Sequence, residues 1–299
     1  MGRARRVEFP GFDGGCWVAD VAGRQQAPTV LLMHGGGQTR HAWQGTVLAL
    51  ARAGWHAVAL DLPGHGESAW SPQGEYHIDK LAADVSRLCR ELGSPLAIVG
   101  ASLGGMIGMA LVGRADAPAV AALALVDVGP WLESAGVDRI VNFMRAHPDG
   151  FASLDEAARH IAAYRGRPVQ AHPRGLGKNL RRNAAGRWVW HWDPRLMNDE
   201  NHSHRNDPDH LARSLARYAG PLALIRGGRS DVITTAGAAR FCSAFPQARF
   251  VELAKAGHMV AGDANDVFTA SLIDFLGAAM PAARADAAVS TQTPKENTA

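Results

Sequence analysis

The sequence predicts an α/β fold built on an open, mostly parallel sheet covered by helices on both faces. Three observations predict it. Short, near-continuous apolar runs recur along the chain, which is the mark of strands buried on both sides. Longer stretches of helical periodicity separate them, so each strand returns through a helix crossover. The alternation breaks once, between about residues 129 and 219, and then resumes.

The strands expected from these runs are Thr29–Met33, Trp55–Leu60, Leu96–Val99, Ala121–Val126, Leu222–Ile225 and Ala248–Leu253. The helices expected between them are Thr46–Ala53, Ile78–Leu92, Gly104–Gly113, Ala236–Ala244 and Asp266–Leu276. The intervening segment is rich in Arg, His, Asn and Trp, with helical periodicity at Val137–Arg145, Leu154–Tyr164 and His210–Tyr218 and no good strand. It reads as a mostly helical insertion over the sheet. The expected division is therefore a core from residues 1–130 and 219–277 with a cap from 131–218. The Ala-rich, then polar tail 278–299 is too poor in apolar side chains to fix itself and is expected to be disordered.

Composition excludes several classes. The 299 residues are 47% hydrophobic and 20% charged, ordinary for a globular domain. The formal net charge of +3 is too small and scattered for nucleic-acid binding. Three cysteines, Cys16, Cys89 and Cys242, form no CxxC pair, so neither a disulfide framework nor a thiolate zinc site is expected. The basic first residues lead into no apolar h-region, and no run approaches a membrane span. Cytoplasmic residence is the resulting expectation, and the sequence leaves oligomeric state unknown.

Four motifs carry the chemistry. Gly100-Ala-Ser102-Leu-Gly104-Gly105 follows an expected strand and opens an expected helix, the setting a G-x-S-x-G nucleophile elbow requires. Side chains two positions either side of the serine would collide, so both positions are glycine. The turn lifts the Ser102 hydroxyl clear of the sheet and aims the Leu103 N–H at an incoming oxyanion. His34-Gly35-Gly36-Gly37 follows the Thr29–Met33 strand and can supply a second oxyanion donor, with Gly36 preferred and Gly35 or Gly37 open. No phosphate-loop spacing accompanies it, and His34 reads as structural. His258, after the last strand, can reach the crevice above the sheet and act as general base. Asp231, after the Leu222–Ile225 strand, fits the carboxylate that orients the imidazole. Asp127, ending the preceding strand, is the competitor; Asp263 falls on the far side of His258.

Together with Asp61-Leu-Pro-Gly-His-Gly-Glu-Ser68, these motifs resemble the α/β-hydrolase superfamily over roughly residues 7–130 and 219–277. The resemblance implies a mostly parallel sheet of about eight strands with a helical cap inserted after strand 6. It makes Asp61, His65 and Ser68 a structural turn. The sequence itself implies no cofactor. Capped members include carboxylesterases, lactonases, carbon–carbon bond hydrolases and perhydrolases; epoxide hydrolases and haloalkane dehalogenases use an aspartate where this chain has Ser102.

The expected activity is hydrolysis of a small-molecule carboxylic ester through an acyl-enzyme, with Ser102 as nucleophile, His258 as base and Asp231 as acid. A lactonase or carbon–carbon bond hydrolase at the same residues is the alternative, and a ligand-binding protein on the same fold is a third class. In the cap, Trp188, Trp190 and Trp192 recur at period two and either wall an apolar pocket or anchor the cap. Arg187, with Arg181 and Arg182, could meet an acidic substrate, although solvated surface is the simpler role. The polar cluster His202, His204, Asp207, Asp209 and His210 reads as an irregular loop rather than a metal site.

Overall fold

The computed structural model describes residues 3–11, 14–93, 95–166, 168, 176, 179–198, 201, 207–258 and 265–281. The chain opens with two strands, β1 (Arg5–Pro10) and β2 (Cys16–Ala22). Then follow β3 (Thr29–Met33), α1 (Gln44–Arg52), β4 (His56–Leu60), α2 (Ile78–Leu92), β5 (Leu96–Ala101), α3 (Leu103–Val112) and β6 (Ala122–Val126). The insertion carries α4 (Ser134–Arg145), α5 (Leu154–Arg165), β7 (Leu180–Arg182) and β8 (Trp188–Trp190). Helix α6 (Pro208–Ala216), β9 (Leu222–Gly227), α7 (Thr235–Ala244), β10 (Arg249–Leu253) and α8 (Asn265–Ala279) complete it.

The main sheet has eight strands in the order β1-β2-β4-β3-β5-β6-β9-β10. Strands β1 and β2 pair antiparallel, β2 meets β4 antiparallel, and all other pairings are parallel. The six strands expected from apolar runs are all present. Strands β3, β4 and β6 are buried at every position, as a sheet covered on both faces requires. Of the two N-terminal strands, β1 gives no such run because it lies at the sheet edge with only alternate residues half-buried, and the run of β2 is broken by Asp20.

Two apolar layers cover the sheet. One includes α2 and α3; α2 turns Ile78, Leu81, Val85, Leu88 and Cys89 inward at helical spacing. The other includes α1 and α8, with Trp43, Val47 and Leu50 packed on Phe268, Leu272 and Leu276. The last helix runs to Ala279, and Met280 is buried with its carbonyl accepting from the Trp55 indole, so order extends past the expected boundary at 278. The rest of the tail, from 282, lies outside the described residues.

The insertion does follow β6, but it is not purely helical. Strands β7 and β8 form an antiparallel hairpin, Leu180 opposite Trp190 and Arg182 opposite Trp188. The period-two tryptophans of β8 are its one strand signal, and three residues are too few to set against the helical periodicity on either side. Helix α6 packs on α3, where the Arg217 guanidinium donates to the Gly113 carbonyl at 2.9 Å, so it belongs to the wall of the core rather than to the cap.

The strand order places the site. The chain runs from β3 outward to β4 on one side, then crosses to β5 on the other. Loops leaving the carboxyl ends of β3 and β5 therefore diverge, and the crevice between them is where an open α/β sheet binds ligands. The Gly35–Gly37 loop leaves β3 there, and Ser102 leaves β5.

Candidate active site

Ser102 sits between β5 and α3 with φ of 45°, a strained backbone for a residue with a Cβ. The glycines make that turn possible. A Cβ at Gly100 would collide with the Gly104 carbonyl, and one at Gly104 would collide with the Met33 carbonyl of β3. Gly104→Ala is expected to destabilise the fold by a few kcal/mol, because the obstructing atoms are backbone. Chemical denaturation checks this; an unchanged midpoint would contradict it.

Two backbone donors beside Ser102 are unclaimed among the described residues. Leu103 is the first residue of α3 and has no intrahelical acceptor for its N–H. In the glycine loop, the Gly35 N–H donates to the Gln38 side chain at 3.0 Å and the Gly37 N–H to His65 Nε2 at 3.2 Å. Gly36 has no such bond. Of the three glycines, Gly36 is thus the one whose N–H is available to a ligand.

The loop is held from behind by neutral histidines. His34 Nδ1 donates to the Gly35 carbonyl at 2.8 Å, and its Nε2 accepts from the Leu62 N–H at 3.0 Å. His191 Nδ1 accepts from the Gly66 N–H at 2.8 Å, and its Nε2 faces the Gly37 carbonyl at 3.3 Å. Burial lowers the pKa of both rings, that of His191 to about 3, so each keeps one N–H and one lone pair for these bonds. Asp61 accepts from the Arg40 N–H and guanidinium, and Ser68 Oγ donates to the Asp61 carbonyl, so the 61–68 turn is structural throughout.

His258 lies past β10 and lines the same cavity as Ser102. Its Nδ1 is 2.7 Å from Asp127 Oδ2. Asp127 follows β6 directly, is fully buried, and holds φ of 51°. The Gly227 N–H donates to its Oδ1 at 2.9 Å and Ser230 Oγ to its Oδ2 at 2.5 Å. A serine on a glycine elbow, two free N–H groups and a carboxylate-bound histidine now share one crevice.

The model of the alpha/beta hydrolase fold family matches residues 28–264. The chain is an α/β-hydrolase. It is 35% identical over 251 residues to an esterase of Mycobacterium tuberculosis, covering 79% of this chain and 78% of that protein. A solved structure of an M. tuberculosis esterase superposes with a TM-score of 0.70 at 28% identity, covering 92% of each chain. It is also 28% identical over 229 residues to a 3-hydroxybutyrate-oligomer hydrolase of Cupriavidus necator, with 71% of this chain and 76% of that one covered. The structure of E-2-(acetamidomethylene)succinate hydrolase, 20% identical with a TM-score of 0.77 over 91% of this chain and 99% of that one, shares the fold.

The α/β-hydrolase differs from the sequence expectation at the acid. Asp231 does not face His258. Its carboxylate pairs with Arg139 on the cap helix α4 and is about one-third exposed, with a side-chain exposure of 34%. The physical reason is reach. Asp127 leaves β6 at once, whereas the turn after β9 carries Asp231 outward and offers Ser230 to Asp127 instead. Asp263 lies outside the described residues.

The cap corrects two further expectations. Trp190 and Trp192 stack with centroids 4.5 Å apart and line the cavity. Trp188 does not; it lies under the Arg182 guanidinium and bridges to Phe151, both partners within the insertion itself. The face shared by Trp188 and Trp190 runs out of the cavity along the hairpin. Arg187 donates to the Asp149 and Gly150 carbonyls, at 2.7 and 2.6 Å, and does not line the cavity that holds Ser102. Arg181 donates to the Gly66 carbonyl and lies over Trp70. In the polar cluster, His202 and His204 lie outside the described residues, Asp207 caps α6, and His210 bonds Asp79.

Sequence reasoning missed the inner wall of the cavity, formed by Ile140, Phe143 and Met144 of α4 with Ile161 and Tyr164 of α5. Their i, i+3, i+4 spacing was a visible signal, but it reads equally as ordinary helix packing.

Proposed function

We propose that the chain hydrolyses a small-molecule carboxylic ester through an acyl-enzyme on Ser102. The observation that carries this reading is the 2.7 Å bond between His258 Nδ1 and Asp127, beside a serine on a strained elbow. The carboxylate keeps the proton on Nδ1, which leaves the Nε2 lone pair for the Ser102 hydroxyl. Ser102 Oγ attacks the carbonyl carbon as His258 takes its proton. The oxyanion that forms is met by the Gly36 and Leu103 N–H groups. Collapse of the adduct breaks the bond to the alcohol oxygen, which leaves with the proton from His258. Water then repeats the cycle on the acyl-enzyme and frees the acid. The esterase and the oligomer hydrolase among the relatives are both named for hydrolytic activities, which supports an ester as substrate.

A 4-nitrophenyl ester is expected to be turned over. Acid quenching during turnover is expected to leave the acyl mass on the peptide that holds Ser102. Turnover with that peptide unmodified at every quench time sinks the acyl-enzyme reading.

A further inference from the structure

Two separate spaces open on Ser102, and they differ in chemistry. The larger, about 320 Å³, holds His258 and is walled by Phe143, Tyr164, Trp190 and Trp192, with Arg165 and Asn179 among its polar members. The smaller, about 70 Å³, lies on the other side, against Leu103, Met106, Val137 and Val232. Apart from Ser102, every side chain that lines it is aliphatic or a thioether. It has no contact with His258. Ile140 and Met144, one helical turn apart on α4, line both spaces and divide them. Met144 reaches the glycine loop, its sulfur 3.6 Å from where a Cβ on Gly36 would stand.

We infer that the smaller space takes the acyl group and the larger takes the alcohol, so the substrate class is a short aliphatic acyl ester of a bulky aromatic alcohol. The inference rests on the ester-hydrolase reading and follows from where the proton must go. The carbonyl oxygen is fixed by the Gly36 and Leu103 N–H groups. The leaving oxygen must receive its proton from His258, so the alcohol occupies the space that contains His258. The remaining substituent of the carbonyl carbon is the acyl chain, and the remaining space is the small one. Beyond Ser102 and the two N–H groups that hold the carbonyl oxygen, its lining side chains offer no partner to a polar group, so a charged or hydroxylated acyl chain is excluded by desolvation. The larger space offers flat aromatic faces with a few polar groups, the composition that suits an aromatic ring carrying a polar substituent. Ile140 and Met144 are then the residues that set acyl length.

The test is a matrix of esters assayed as kcat/KM. Acetyl, butanoyl and octanoyl esters of 4-nitrophenol give the acyl profile, and methyl against 2-naphthyl butanoate gives the alcohol profile. Wild type is expected to fall on the order of tenfold or more from butanoyl to octanoyl, the size of effect a full apolar pocket imposes. Val137→Trp fills the small space from a half-buried position on α4. It is expected to move the cut-off so that butanoyl drops about tenfold against acetyl, with the naphthyl preference kept. Trp190→Ala is expected to do the reverse: the naphthyl preference shrinks and the acyl profile stays. A wild type that prefers octanoyl, or a Val137→Trp that lowers all esters equally, overturns the assignment. Alkyl fluorophosphonates of graded length give a second readout, as the rate of Ser102 modification by mass spectrometry, and the same cut-off is expected. If neither esters nor phosphonates react at Ser102, the ester-hydrolase reading itself falls and takes the assignment with it. If they react without a length cut-off, only the assignment falls.

Discussion

Asp127→Asn is expected to lower kcat by about 10⁴-fold, while Asp231→Asn stays within a few-fold of wild type. The bonds around Asp127 fix how an asparagine would sit. The Gly227 N–H donates to Oδ1, so the amide oxygen must stay there; the reverse orientation would set two donors against each other. The amide NH₂ then faces His258 Nδ1 and Ser230 Oγ, where Oδ2 now accepts. His258 can satisfy that donor only by presenting its Nδ1 lone pair. The ring proton moves to Nε2, and the imidazole can no longer accept from Ser102. The loss is one of tautomer rather than of fold, equivalent to about 5.5 kcal/mol of barrier at 25 °C. Asparagine is the right substitution because it tolerates the left-handed backbone at φ of 51°, which alanine would strain. Asp231 has no such duty. Its partner Arg139 is more than half exposed, and a screened surface pair of this kind contributes about 0–1 kcal/mol. Steady-state kinetics on both variants, with circular dichroism to confirm the fold, decides between the two carboxylates. Equal losses, or the larger loss at Asp231, would return the orienting role to Asp231.

The same pair of residues marks the limit of what the sequence reveals. The turn that carries Ser102 is legible because it is set by local constraint. Backbone atoms of Gly104 and Met33 exclude side chains at 100 and 104, and that exclusion is written into the glycine spacing. The strands that line the crevice were legible because burial on both faces leaves unbroken apolar runs. The choice between Asp127 and Asp231 is a matter of distance. Both follow neighbouring parallel strands that pair Val126 with Ile225. Which carboxylate arrives at His258 depends on the path of one short turn after β9, and composition carries no signal for that. The cap was less legible for a related reason. Its hairpin strands are three residues long and its cavity wall uses ordinary helical spacing, so tryptophans drew attention that Phe143, Met144 and Tyr164 deserved equally. The preference for Gly36 over its neighbours has no sequence signal behind it; the structure adds that the Gly35 and Gly37 N–H groups already have acceptors.

Ser102→Ala is expected to cost the most, about 10⁶-fold in kcat, with the fold unchanged. Both residues carry a Cβ, so alanine adds no strain at φ of 45° that serine does not already bear. The backbone bonds that close the elbow, from the Gly105 and Met106 N–H groups to the carbonyl of residue 102, do not involve the side chain. A melting temperature close to wild type is therefore expected beside the loss of turnover. What remains measures the rest of the site. Gly36 and Leu103 still offer their N–H groups, and the cavity still binds, so a residual acceleration over water of about 10³–10⁴ is expected. The double variant Ser102→Ala/His258→Ala supplies the sharper test. If the two residues act as one proton-transfer unit, the second substitution adds almost nothing to the first. If His258 instead activates water directly on the ester, Ser102→Ala retains much of its turnover and the double variant loses it. Non-additive losses support nucleophilic catalysis through the pair. Losses that multiply would mean that Ser102 and His258 act independently, and the acyl-enzyme would have to be abandoned.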